Sequence, residues 1–93
     1  MDTSLRRLRL VRSRCHVLVV EDDEAQCGEM AGYLGLSKLA VRMAHNGTSA
    51  LRQAAEHLPR VVLLDFDLPD MTGIQLAKKL RAILPNAAFI MMS

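Results

Sequence analysis

Val61-Val62-Leu63-Leu64-Asp65-Phe66-Asp67-Leu68-Pro69-Asp70-Met71-Thr72-Gly73-Ile74-Gln75-Leu76 is the stretch whose reading decides the fold. Its four leading aliphatic residues form an unbroken run, the pattern of a strand buried on both faces inside a parallel sheet. Asp65 follows directly, so a rigid element delivers a carboxylate to the edge of that sheet. Pro69 disfavours helix at Leu68, and the chain must turn before it coils. Thr72 with Gln75 three residues on is a capping-box pattern, which predicts a helix starting there. In open α/β sheets, ligands and chemistry gather outside the carboxyl ends of the strands. Asp65 is therefore the leading candidate for the working residue. A plain loop-capping role, with the carboxylate closing an Asx turn, is the competing reading.

Upstream, His16-Val17-Leu18-Val19-Val20 is a second buried-strand run, and it ends in Glu21-Asp22-Asp23-Glu24. One or two acidic residues suit the positive end of a helix; four in succession exceed that need, although a cap role for Asp22 competes with a site role. A helix follows from Glu24, with Cys27, Met30, Ala31 and Leu34 on one apolar stripe. Leu39 to His45 reads as the next strand, and Asn46-Gly47 as its turn. Leu51, Ala54, Ala55 and Leu58 mark a second helix that Pro59 closes. After the central stretch, Ile74, Ala77, Leu80 and Leu84 define the apolar side of a third helix, with Lys78, Lys79 and Arg81 exposed. Pro85-Asn86 breaks it before a last apolar strand within Ala87 to Ser93.

Strand and helix thus alternate, with short connections and no internal repeat. That order predicts α/β architecture: a doubly wound parallel sheet joined by right-handed crossovers. Ninety-three residues make one small domain. The net charge of +2 is unevenly placed. Five arginines against Asp2 give residues 1–14 a basic arm, whereas residues 15–93 hold seven basic and nine acidic groups. Nucleic-acid binding is not inferred from this balance. Leu5 and Leu8 allow a short amphipathic helix in the arm, but a solvated tail is the plainer reading. Cys15 and Cys27 fit no metal spacing and no disulfide framework. No apolar run reaches membrane-span length and the start lacks a signal peptide's apolar centre, so a reduced, cytoplasmic setting is expected.

If the first and third strands are neighbours, Glu21, Asp22 and Asp65 meet at one sheet edge. Packed carboxylates repel one another and shift toward protonation. A divalent cation resolves that conflict, and an all-oxygen donor set with room for water suits Mg²⁺ or Mn²⁺. A direct nucleotide site is disfavoured, because the first turn is acidic where a dinucleotide fold needs glycines.

Three segments, Val-Leu-Val-Val-Glu-Asp-Asp-Glu (17–24), Ala-His-Asn-Gly-Thr-Ser-Ala-Leu (44–51) and Val-Leu-Leu-Asp-Phe-Asp-Leu-Pro-Asp-Met-Thr-Gly (62–73), together resemble the receiver domain of bacterial two-component response regulators. The resemblance implies a flavodoxin-like fold with strand order 2-1-3-4, truncated after the fourth strand, so that 15–93 form an incomplete receiver behind the arm at 1–14. It implies that Asp65 accepts a phosphoryl group from a histidine kinase or phosphotransfer protein, as a signalling domain rather than a turnover enzyme. Asp22 would bind the metal directly and Glu21 would be the second acidic-pocket residue. Asp67 would offer its backbone carbonyl, and Ser93 would hydrogen-bond the phosphoryl group. Pro69 and Gly73 match the loop and helix-start positions. Nucleic acid would be met only through an output domain not present in this sequence.

The family's fifth strand, with the lysine that follows it, has no counterpart. Slower phosphorylation or a shorter-lived activated state is expected, with a non-phosphorylated interaction module as the alternative. Phe89 to Met92 would form an uncharged edge, expected to drive a homodimer or swapped assembly. A phosphatase-type enzyme using Asp65 and Asp67 would leave Glu21-Asp22 without a purpose.

Overall fold

Four short apolar runs become four parallel strands in a computed structural model that describes residues 15–35 and 39–92. The strands are β1 (Val17–Val20), β2 (Val41–Ala44), β3 (Val61–Asp65) and β4 (Ala88–Met92), with helices α1 (Glu24–Gly35), α2 (Gly47–His57) and α3 (Gly73–Ile83) between them. The sheet order is β2-β1-β3-β4, the expected 2-1-3-4. In the register, Val20 faces both Ala44 and Leu64, and Asp65 faces Met92. The arm 1–14 and Ser93 lie outside the described residues.

The crossover rule distributes the helices. The chain steps one way from β1 to β2 and then back past β1 to β3, so right-handed connections put α1 on one face and the later helices on the other. Cys27 of α1, with Met30 and Leu34, packs on Val17 and Val19. On the opposite face Ala50 and Ala54 of α2, with Leu76 and Leu80 of α3, cover Leu18, Val20, Val62 and Leu64. Central β1 is buried along its whole length, as its unbroken aliphatic run requires.

Caps set the phase of each helix. Asp23 Oδ1 accepts from the N–H groups of Ala25 and Gln26 at 3.0 and 3.1 Å, so Asp23 rather than Asp22 starts α1. Asn46 is the N-cap of α2, its side chain accepting from Ser49 N at 2.8 Å, so Asn46-Gly47 is a helix start and not a reverse turn. At α3 the capping box of Thr72 and Gln75 is complete in both directions, at 3.0 and 3.1 Å. Arg81 closes the other end: its Nη1 donates to the carbonyls of Leu84, Pro85 and Ala87, and its guanidinium lies 4.1 Å from the Phe89 ring centre.

Several sequence expectations shift. The second strand shortens from Leu39–His45 to Val41–Ala44. On α3, Ile74 is 52% exposed and Leu76 takes the core position. The cause is Gly73: it abuts the backbone at the end of β3, so positions 73, 76 and 80 face inward and Ile74 turns out. On α2 the inward positions are likewise 47, 50 and 54, and Leu58 sits half-exposed in a left-handed C-cap with φ 49°. Leu76→Ala is therefore expected to cost about 3 kcal/mol in urea unfolding, in the usual range for a buried leucine. Ile74→Ala is expected to cost less than about 1 kcal/mol; equal losses would contradict this helix phase.

Candidate functional site

Neighbouring parallel strands that end in step place their next residues side by side. Because Val20 pairs with Leu64, residues 21 and 65 emerge together at the carboxyl edge of the sheet. There Glu21, Asp22 and Asp65 each contribute a carboxylate oxygen, all within 4.8 Å of one another. Glu21 is only 8% exposed, Asp65 is half-buried and Asp22 is open to solvent.

Glu21 is held from several sides. Its N–H donates to Ala44 O at 3.0 Å, and its carbonyl accepts from His45 Nδ1 at 2.9 Å, which fixes that ring nitrogen as the protonated one. Its Oε2 accepts from Asp23 N at 3.2 Å. Burial pushes the Glu21 carboxyl above the usual range, the Asp22 and Asp65 carboxylates push it further, and the Asp23 N–H only partly opposes them. Three acids with no basic side chain bonded to them among the described residues are a charge conflict. Two oxygens on opposite sides of a hard divalent cation stand about 4–5 Å apart, so this cluster could hold such an ion. The donors are all oxygen, which suits Mg²⁺ or Mn²⁺.

The loop after β3 is tightly built. Gly73 N donates to Phe66 O at 2.6 Å, and a Cβ at Gly73 would strike the Asp65 carbonyl, so only glycine lets α3 begin this close to the acid. Leu68 N donates to Met71 O at 3.1 Å around Pro69, and Asp67 forms a bridge with Thr72. The Asp67 side chain is exposed. Ser93, the expected phosphoryl partner, lies outside the described residues. Cys15 and Cys27 are buried, and burial raises both thiols.

The sequence reading passed over three residues. Asp23 as cap was legible, since Asp23 with Gln26 repeats the capping-box spacing. His45 and Asp70 were not, because their partners lie 24 and 22–23 residues away. Asp70 Oδ1 accepts from Gly47 N at 2.7 Å, and Oδ2 from Thr48 N and Oγ1 at 2.9 and 2.8 Å. Those donors, Gly47 N–H foremost, lower its carboxyl to about 2.

Comparison with known proteins bears on what this edge does. The family described as "Response regulator receiver domain" matches residues 17–93. Transcriptional activator protein ExaE of Pseudomonas putida is 38% identical over 79 residues, covering 83% of this chain and 37% of that protein. The chain spans about a third of the length of the curated relatives it matches. Among solved structures, a CheY-like receiver domain protein from Methanospirillum hungatei superposes with TM-score 0.80 at 28% identity, over 85% of this chain and 63% of that one. A response regulator from Burkholderia pseudomallei, solved with a phosphorylated aspartic acid, a calcium ion and citrate, gives TM-score 0.78 at 30% identity, over 83% of this chain and 45% of that one. No described helix is long and apolar enough to cross a membrane.

The raised Glu21 carboxyl has a measurable sign. A proton bound more tightly in the folded state stabilises fully below the ordinary glutamate value of 4.5, and that contribution is lost as pH rises through the raised folded value. Without metal, Glu21→Gln is therefore expected to gain stability relative to wild type as pH rises through this window, in thermal melts. Mg²⁺ is expected to raise the wild-type melting temperature more on the alkaline side of the window than on the acid side, and to raise that of Glu21→Gln less.

Proposed function

Because the chain belongs to the response regulator receiver domain family, we propose that Asp65 accepts a phosphoryl group from a phosphohistidine of a kinase or phosphotransfer protein. The observation that carries this reading is the convergence of Glu21, Asp22 and Asp65 from two separate turns on one point at the sheet edge. A phosphorylated aspartic acid in the Burkholderia relative supports it.

Phosphoryl transfer asks a protein chiefly to hold the reacting atoms in line and to balance charge on the oxygens. A carboxylate oxygen of Asp65 attacks phosphorus, the donor's N–P bond breaks, and the electron pair leaves with the imidazole nitrogen. The product is an acyl phosphate on Asp65. Glu21, Asp22, Asp65 and the Asp67 carbonyl would hold a divalent cation, whose positive charge offsets that of the phosphoryl oxygens. Glu21, fixed by Ala44 and His45, orients the buried side of the pocket. Asp22 is exposed to solvent. The output is a changed contact with another protein, not a released product.

The edge of β4 supplies a further partner. Among the described residues β4 pairs only with β3; it carries no charged residue, and Ile90 is 51% exposed. An uncharged edge strand is a template for pairing, and a two-fold axis lets one copy pair with another through the same residues. A second copy of the chain is the occupant proposed for this edge.

Incubated with Mg²⁺ and a small acyl-phosphate donor, the wild type is expected to gain one phosphoryl adduct by intact mass. Asp65→Asn is expected to gain none, and Asp22→Asn to need more Mg²⁺ while staying folded. A folded wild type without adduct would overturn the reading. In sedimentation at micromolar concentration the wild type is expected to dimerise and Ile90→Lys to run as a monomer; a monomeric wild type would refute the β4 interface.

A further inference from the structure

Both acidic turns are bonded to the same third element. The corner joining β2 to α2, residues 44–48, carries no metal ligand, yet it touches both halves of the site. On one side Ala44 O and His45 Nδ1 hold the two backbone groups of Glu21. On the other side Gly47 N, Thr48 N and Thr48 Oγ1 hold the Asp70 carboxylate, three residues past Asp67. Met71 adds a second contact there: its side chain lies over Gly47 so closely that a Cβ would sit 2.5–2.6 Å from its Sδ, Cε and Cγ.

The corner has a physical reason to grip a carboxylate. The first N–H groups of a helix lack partners within the helix and carry the positive end of its dipole. In α2 the Gly47 and Thr48 N–H groups go to Asp70, and the Ser49 N–H goes to Asn46. Asp70 thus fills in cis the anion position that the start of α2 offers, and the loop after β3 is tied to a fixed helix end.

We propose that the β2–α2 corner sets the spacing between the Glu21/Asp22 turn and the Asp65–Asp67 loop, with His45 and Asp70 as positioning residues. The inference rests on the receiver reading of the site. Residues that orient metal ligands from behind commonly change metal affinity about tenfold or more when removed.

Calorimetric Mg²⁺ titration tests it, with Asn46→Ala as control. Asn46→Ala removes the other cap of the same helix and so costs helix stability, but it leaves the Asp70 latch in place. Asp70→Ala is expected to weaken Mg²⁺ binding about tenfold, and Asn46→Ala to leave it within about twofold, although both lower the melting temperature. His45→Leu is expected to weaken Mg²⁺ binding, and His45→Asn to restore it, because the Asn amide nitrogen can donate where Nδ1–H does. Amide exchange at Gly47 and Thr48 is expected to quicken in Asp70→Ala. If Asp70→Ala does not fold, Asp70→Asn, which keeps one acceptor oxygen, is expected to show a smaller loss in the same direction. Mg²⁺ affinity in folded Asp70→Ala or Asp70→Asn equal to that of Asn46→Ala would overturn the proposal while leaving the receiver reading intact. A wild type that binds no Mg²⁺ would overturn both.

Discussion

The pairing of β1 with β3 is the constraint on which the site depends. With Val20 level with Leu64, the sheet cannot avoid placing Glu21 beside Asp65 at its carboxyl edge. A fold that buries β1 completely for stability therefore concentrates negative charge at one point. The strain is local: burial, and after it the neighbouring Asp22 and Asp65 carboxylates, raise the carboxyl of Glu21. A hard divalent cation held there would relieve that conflict.

Around that edge, each acidic group is separated by role. Asp23 serves α1 as its cap, which leaves Asp22 open to solvent. Asp70 serves the start of α2, which leaves Asp65 and Asp67 at the mouth of the loop. Gly73 lets α3 begin against the Asp65 backbone, so the loop between them has little room to move. Asp23 and Asp70 are thus structural, and they hold the segments that carry Glu21, Asp22, Asp65 and Asp67.

The architecture was legible because its signals are local. Uninterrupted aliphatic runs marked β1 and β3, and Thr72 with Gln75 marked the start of α3. Helix phase was less legible: leucine and isoleucine spacing alone put Ile74 inside, where the close approach of Gly73 to β3 turns Leu76 inward instead. In Asn46-Gly47 the same two residues can make a turn or a helix cap, and only the bond from Ser49 N decides. The acidic cluster was foreseen through the strand order. The bracing by His45 and Asp70 was not, since hydrogen bonds spanning more than 20 residues leave no mark in spacing.

Paramagnetic relaxation by Mn²⁺ in an isotopically labelled sample addresses the shared site most directly. If acids from both turns surround one ion, amide signals of residues 21–23 and 65–67 should broaden together, along one titration curve and at one stoichiometric equivalent. Broadening confined to a single turn, or two curves with different midpoints, would contradict the account.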